Sequence, residues 1–181
     1  MCGCKVRRGD LRSLVSALSE FQSLREIELI SCELDGNDAS EIIRALAGHN
    51  DLEKLDLHSN QIGGNSCAAL SALLPKPDPK LAVLDLTRNY IDDEGAANLA
   101  TGLTGNSTLR ELNLNDIRDI TEAGWRAVFT ALQSPSCRLE KLDLDSNDGN
   151  NDTPVDSATH QQLMLFDLEN SVLDRRITRC I

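Results

Sequence analysis

The sequence predicts an α/β solenoid, with short parallel strands along one side and helices along the other. Three observations predict it. A pattern of the form L-x-x-L-x-L-x-x-N/C-x-L recurs five times, its lead leucines at 24, 52, 81, 109 and 139 and their spacings 28, 29, 28 and 30 residues. A fixed period of this size marks a stacked repeat. The stretches between copies carry apolar residues at helical spacing. Aromatic residues make up only 3% of the chain, so leucine and alanine must fill the interior, which suits a thin core extended in one dimension.

Taken in order, Leu11 to Phe21 reads as the helix of a repeat whose strand is missing or unrecognisable. The first full copy runs Leu24-Arg-Glu-Ile27-Glu-Leu29-Ile-Ser-Cys32-Glu-Leu34. The second is Leu52-Glu-Lys-Leu55-Asp-Leu57-His-Ser-Asn60-Gln-Ile62, and the third is Leu81-Ala-Val-Leu84-Asp-Leu86-Thr-Arg-Asn89-Tyr-Ile91. In each L-x-L the two apolar residues point the same way, because strand side chains alternate with period two. Cys32, Asn60, Asn89 and Asn147 hold the turn that follows. A buried Asn there can bond the backbone of adjacent repeats and satisfy groups that would otherwise be orphaned.

The intervening helices are expected over Ala39 to Ala47, Ser66 to Leu74, Glu94 to Leu103 and Thr121 to Leu132. Asp92-Asp93-Glu94 and Thr121-Glu122 place capping and acidic residues at helix starts. Pro75, Pro77 and Pro79 end the second repeat's helix. The fourth copy departs from the pattern. Its segment Leu114-Asn-Asp-Ile117-Arg-Asp-Ile120 has Ile117 at the Asn position and one residue too many, which predicts a local bulge or a rearranged turn. The fifth keeps Leu139, Leu142, Leu144 and Asn147, then turns polar through Asp148 to Pro154. The chain is thus divided into a partial repeat (1–22), the repeats (23–147) and a divergent tail or cap (148–181). Because solenoid ends need polar caps and none is visible before Leu24, a fragment of a longer array is expected.

The period near 28 with a full helix per repeat resembles the ribonuclease-inhibitor-like class of leucine-rich repeats, over residues 24 to about 147. The resemblance implies a right-handed β/α horseshoe with the parallel sheet concave and the helices convex. The same class includes the GTPase-activating protein of the Ran cycle and the sensor domains of nucleotide-binding immune receptors. It therefore implies a non-catalytic binding protein, with a GTPase-activator-like regulator or a receptor sensor fragment as alternatives.

Composition narrows the partner. Eighteen basic against 29 acidic residues give a net charge of −11, which disfavours nucleic acid and anionic membrane. No apolar run approaches a membrane span, and no signal peptide is visible. The six cysteines form no C-x-x-C pair, which fits a reducing, cytoplasmic setting; Cys2-Gly3-Cys4 reads as a frayed terminus. Asn106-Ser107-Thr108 and Asn151-Asp152-Thr153 read as chance glycosylation matches.

Residues flanking the strand leucines should form the concave face. The position between the leucines gives Glu28, Asp56, Asp85, Asn113 and Asp143. The position before gives Glu26, Lys54, Val83, Glu111 and Lys141, and the position after gives Ile30, His58, Thr87, Asn115 and Asp145. Strands lie ~4.8 Å apart, so the first row is a stack of carboxylates that a basic protein partner would relieve. The candidate partner-binding set is Glu26, Glu28, Lys54, Asp56, His58, Asp85, Arg88, Glu111, Asn113, Lys141 and Asp143. No phosphate loop, nucleophile elbow or H-E-x-x-H occurs, so no catalytic, cofactor or metal site is expected. The oxygen cluster Asp143, Asp145, Asn147, Asp148 and Asn151 lacks the frame of a calcium loop. His49 reads as a turn residue, His160 falls in the tail, and His58 beside two aspartates is a candidate pH-sensitive contact. The oligomeric state is left open.

Overall fold

The computed structural model describes residues 8–20, 24–75, 80–117 and 119–144. The expectations for Cys2, Cys4, Pro77, Pro79, Asp145, Asn147, His160 and the whole 148–181 tail lie outside the described residues.

Helices and strands alternate: α1 (Arg8–Glu20), β1 (Glu26–Glu28), α2 (Gly36–Ala45) with a 3-10 turn at Leu46–Gly48, β2 (Lys54–Asp56), α3 (Gly64–Leu73), β3 (Val83–Asp85), α4 (Asp93–Gly105), β4 (Glu111–Asn113), α5 (Glu122–Leu132) and β5 (Lys141–Asp143). The five strands form one parallel sheet in sequence order. Its register puts Ile27, Leu55, Leu84, Leu112 and Leu142 in a single file. Leu55, Leu57, Leu84 and Leu86 are completely buried, as two leucines on one strand face must be when helices cover it. Each helix packs on its neighbours in sequence, which gives the β/α leucine-rich-repeat solenoid, with the sheet concave and the helices outside.

Helices α2, α3 and α4 begin one to three residues earlier than expected, and α5 begins one later, with Thr121 as its cap. Asp35 accepts the N–H groups of Asn37 and Asp38 at 2.8 and 2.9 Å, and so starts α2 at Gly36 rather than Ala39. Asp92 and Thr121 cap α4 and α5 through the N–H groups of Gly95 and Ala123, as their positions predict. Only α3, capped by Gly63, has no side-chain bond at its start among α2 to α5.

The Asn ladder is the main polar structure of the interior. Asn60 Oδ1 accepts from Cys32 and Leu34 N–H at 3.0 and 3.1 Å, and its Nδ2 donates to the Leu29 and Leu57 carbonyls. Asn89 repeats this one repeat later, accepting from Ile62 N–H and donating to Leu57 and Leu86. The residue before each ladder position is left-handed: Ser31, Ser59, Arg88 and Asp116 have φ between 51° and 58°. In the fourth repeat Asp116 keeps the same left-handed turn entry and Ile117 is buried where Asn60 and Asn89 stand in theirs, so the one-residue-longer spacing falls between Ile117 and buried Ile120.

His49 lies in the turn between α2 and β2, as expected, and does more than turn the chain. It is only 6% exposed, and its Nε2 lies 2.7 Å from the Leu18 carbonyl. It sits three residues before a lead leucine, as does Asn106, which is also buried and donates to the Leu74 carbonyl at 2.8 Å. Each closes an open carbonyl at the end of the preceding repeat's helix, α1 for His49 and α3 for Asn106, so His49 adds an interior cap to its place in the turn. The same bonds hold the Asn106 amide inside the fold.

Candidate functional site

The short strands fix three rows on the exposed sheet face. Glu26, Lys54, Val83, Glu111 and Lys141 are side by side; two residues on, so are Glu28, Asp56, Asp85, Asn113 and Asp143. Backbone bonds carry the alignment past the strand ends, from Ser31 to His58, Ser59 to Thr87 and Arg88 to Asn115. Ten of the eleven sequence-derived residues therefore share one surface. Arg88 does not: it is itself the left-handed residue of its turn, and its Nε reaches Asp116 Oδ2 at 3.1 Å.

The carboxylate row has a local structural task. Asp56 accepts His58 N–H at 3.1 Å, Asp85 accepts Thr87 N–H at 2.9 Å, and Asn113 accepts Asn115 N–H at 3.2 Å. An Asp or Asn at this position thus satisfies the N–H two residues on, where the strand ends. This explains the recurrence of the residue type without any ligand.

Charge along the face is uneven. Lys54 is paired with Glu28, and that contact holds its ammonium group above the ordinary lysine range. Lys141 lies 3.6 Å from Glu111. Each end of the sheet thus holds one lysine–glutamate pair across strands, with Glu26 and Asp143 adding further negative charge. At the centre, no lysine or arginine pairs with Asp56 or Asp85 among the described residues. Asp56 is 7% exposed, contrary to the expectation of an exposed row. Burial raises its carboxyl above the usual range, and neighbouring Asp85 adds to the effect, against the lowering by the His58 N–H. His58 Nδ1 stands 3.8 Å from Asp56 Oδ1. Asp85 is half-buried and also accepts from Asn113 Nδ2 at 3.1 Å.

A shallow depression of about 100 Å³ lies on this face over β3 to β5, lined by Val83, Asp85, Glu111, Asn113, Lys141 and Asp143 among others. In the next row, outside this lining, Thr87 Oγ1 and Asn115 Oδ1 are buried with no hydrogen-bond partner. Among the described residues no three His, Cys, Asp or Glu side chains gather as a metal site would need. No described helix is long and apolar enough to cross a membrane. One surface feature escaped the sequence reading: Tyr90 is 64% exposed. The available signal was an aromatic directly after the ladder residue Asn89, in a chain with only 3% aromatic residues.

Comparison with known proteins gives the following. Residues 48–71 and 78–100 match the family model described as Leucine Rich repeat. Over 72 residues the chain is 40% identical to the ribonuclease inhibitor of Mus musculus, an alignment covering 40% of this chain and 16% of that protein. The chain thus spans about a sixth of that relative's length. Among solved structures, Leiomodin-1 Actin-Binding Site 2 superposes with a TM-score of 0.65 at 16% identity over 92% of each chain. The tropomodulin C-terminal domain of Caenorhabditis elegans superposes at 0.67 with 17% identity, over 90% of this chain and 94% of that one. At such identities these two show the fold alone.

Proposed function

For this leucine-rich repeat protein of the ribonuclease-inhibitor-like class, we propose the function of a non-catalytic scaffold that binds a basic protein on its concave face. The observation that carries the reading is the Asp56–Asp85 pair, adjacent carboxylates that no lysine or arginine bridges among the described residues, Lys54 being bonded to Glu28 and acting on Asp56 only through its field. Adjacent carboxylates repel unless a cation relieves them. A lysine or arginine from a docked protein would supply one, while Lys54 and Lys141 remain engaged. The ribonuclease inhibitor, by its name, also acts on another protein. A net charge of −11 supports a basic partner over nucleic acid. The proposal sets the scaffold in the cytoplasm, where Cys32, Cys67 and Cys137 would stay as free thiols.

The test is affinity capture of partners with wild type and with an Asp56→Asn/Asp85→Lys double variant. The Asp56→Asn amide keeps the bond to His58 N–H, whereas Asp85→Lys gives up those to Thr87 N–H and Asn113 Nδ2, so circular dichroism and urea unfolding check that the variant stays folded. The reading expects capture to fall by about tenfold or more, as loss of a central charged contact does. Undiminished capture by the folded variant would remove it.

A further inference from the structure

We infer that the depression over β3 to β5 receives a lysine side chain of the bound partner, its stem laid along Val83 and its ammonium group set on Asp85. The inference rests on the basic-partner reading and names the part of that face where a basic side chain fits.

The front row of the sheet explains the opening. Four of its five strands carry a long charged residue there, Glu26, Lys54, Glu111 and Lys141, and β3 alone carries a short apolar one, Val83. Both neighbours of Val83 are engaged with the strand on their far side. Lys54 on β2 is bonded to Glu28 of β1, and Glu111 on β4 pairs with Lys141 of β5 at 3.6 Å. Neither is held over β3. The opening of about 100 Å³ lies against Val83 and Asp85 and extends to Lys141 and Asp143 on β5, with buried Leu84 and Leu112 at its floor.

The spacing and the charge select the occupant. Val83 and Asp85 are two residues apart on one strand, so their side chains leave the same face about 6–7 Å from one another. A lysine stem can lie on apolar surface while its charged end reaches a polar group further on. Asp85 gives one oxygen to Thr87 N–H and the other to Asn113 Nδ2. A carboxylate has about four lone-pair sites, so Asp85 keeps acceptor capacity for an ammonium group. Around the opening, Asp85, Glu111 and Asp143 set three carboxylates against the one ammonium of Lys141, a balance that favours an incoming cation.

The experiment titrates the full chain with labelled peptides of equal length and charge whose only cation is lysine, ornithine or diaminobutyrate, at about pH 6, where the amines are protonated. Each shorter cation lacks one further methylene of stem. Wild type should lose about threefold in affinity at each step. Val83→Ala should flatten this series. Asp85→Asn should weaken all three peptides and keep their order, with thermal unfolding confirming that both variants are folded. Equal binding of the three peptides by wild type, an unaltered series in Val83→Ala, or undiminished binding by Asp85→Asn overturns the seat. If wild type binds all three equally and the Asp56→Asn/Asp85→Lys variant loses them, the concave-face reading survives alone. If wild type binds none of them, both fall.

Discussion

At the scale of the residue, Asn60 uses every polar atom of its amide between two repeats. It serves Cys32 and Leu34 N–H on one side and the Leu29 and Leu57 carbonyls on the other. Asn60→Ala leaves these groups buried and unpaired, at about 1–3 kcal/mol for each one that water cannot reach. A loss of at least ~3 kcal/mol is expected, read from the shift in urea midpoint. Asp56 gives a prediction of opposite sign. Its folded carboxyl titrates above the ordinary value because it is buried, so folding favours the protonated form. The stability that protonation brings is fully present below the unfolded value and is lost as pH rises through the raised folded one. Asp56→Asn keeps the acceptor for His58 N–H without the charge. It should therefore be at least as stable as wild type at pH 7, and that relative advantage should shrink below about pH 4. A denaturation series at both pH values checks this. The position of Asp56 was legible in the sequence; its burial was not. How far a strand residue sinks depends on the side chains of the strands beside it, and one repeat read alone does not contain them.

At the scale of the element, the strands were the most legible part. Leu-x-Leu encodes both the chain direction of its side chains and their burial, and β1 to β5 all centre on it. Helices were legible by their apolar spacing but less so at their ends, because Asp35 at the start of α2 lies outside the periodic stretch that announced the helix. The exposure of Tyr90 was least legible, since it depends on which residues of neighbouring repeats meet. Gly102 shows the same dependence. A methyl group there would come within 2.7 Å of the Ser71 Cα, in the backbone of α3. Elsewhere in a helix, Gly→Ala gains about 1 kcal/mol. Here the approach of α4 to α3 must open, so Gly102→Ala is expected to destabilise by about 1–3 kcal/mol, measured by thermal or urea unfolding. A Gly102→Ala variant more stable than wild type would mean that the two helices can separate at little cost.

At the scale of the whole molecule, each repeat touches mainly its neighbours, and stability is close to a sum of repeat and interface contributions. The first repeat is the weak end. Leu24, Ile27 and Leu29 are only partly buried, whereas their counterparts Leu52, Leu55 and Leu57 are buried. Amide hydrogen exchange should therefore be slowest across β2 to β4 and faster at β1. Uniform protection along the sheet would show that the array opens only as a unit. The same one-dimensional build explains why the concave surface could be mapped from spacing before any coordinates existed. It also explains why charge pairing between Lys54 and Glu28 or Lys141 and Glu111 could not be settled that way, since each long side chain had two neighbouring strands to choose from.

Cys67 lies at the seam of two helices, its sulfur 3.4 Å from where a side chain on Gly95 would begin. Burial pushes its thiol up to about 12, so at neutral pH it holds its proton and reacts slowly even with a reagent that reaches it. An alkylating agent can find this sulfur only after α3 and α4 part. The tempo at which mass accumulates on Cys67 is thus an internal clock for the opening of the solenoid's middle, and it needs no engineered label.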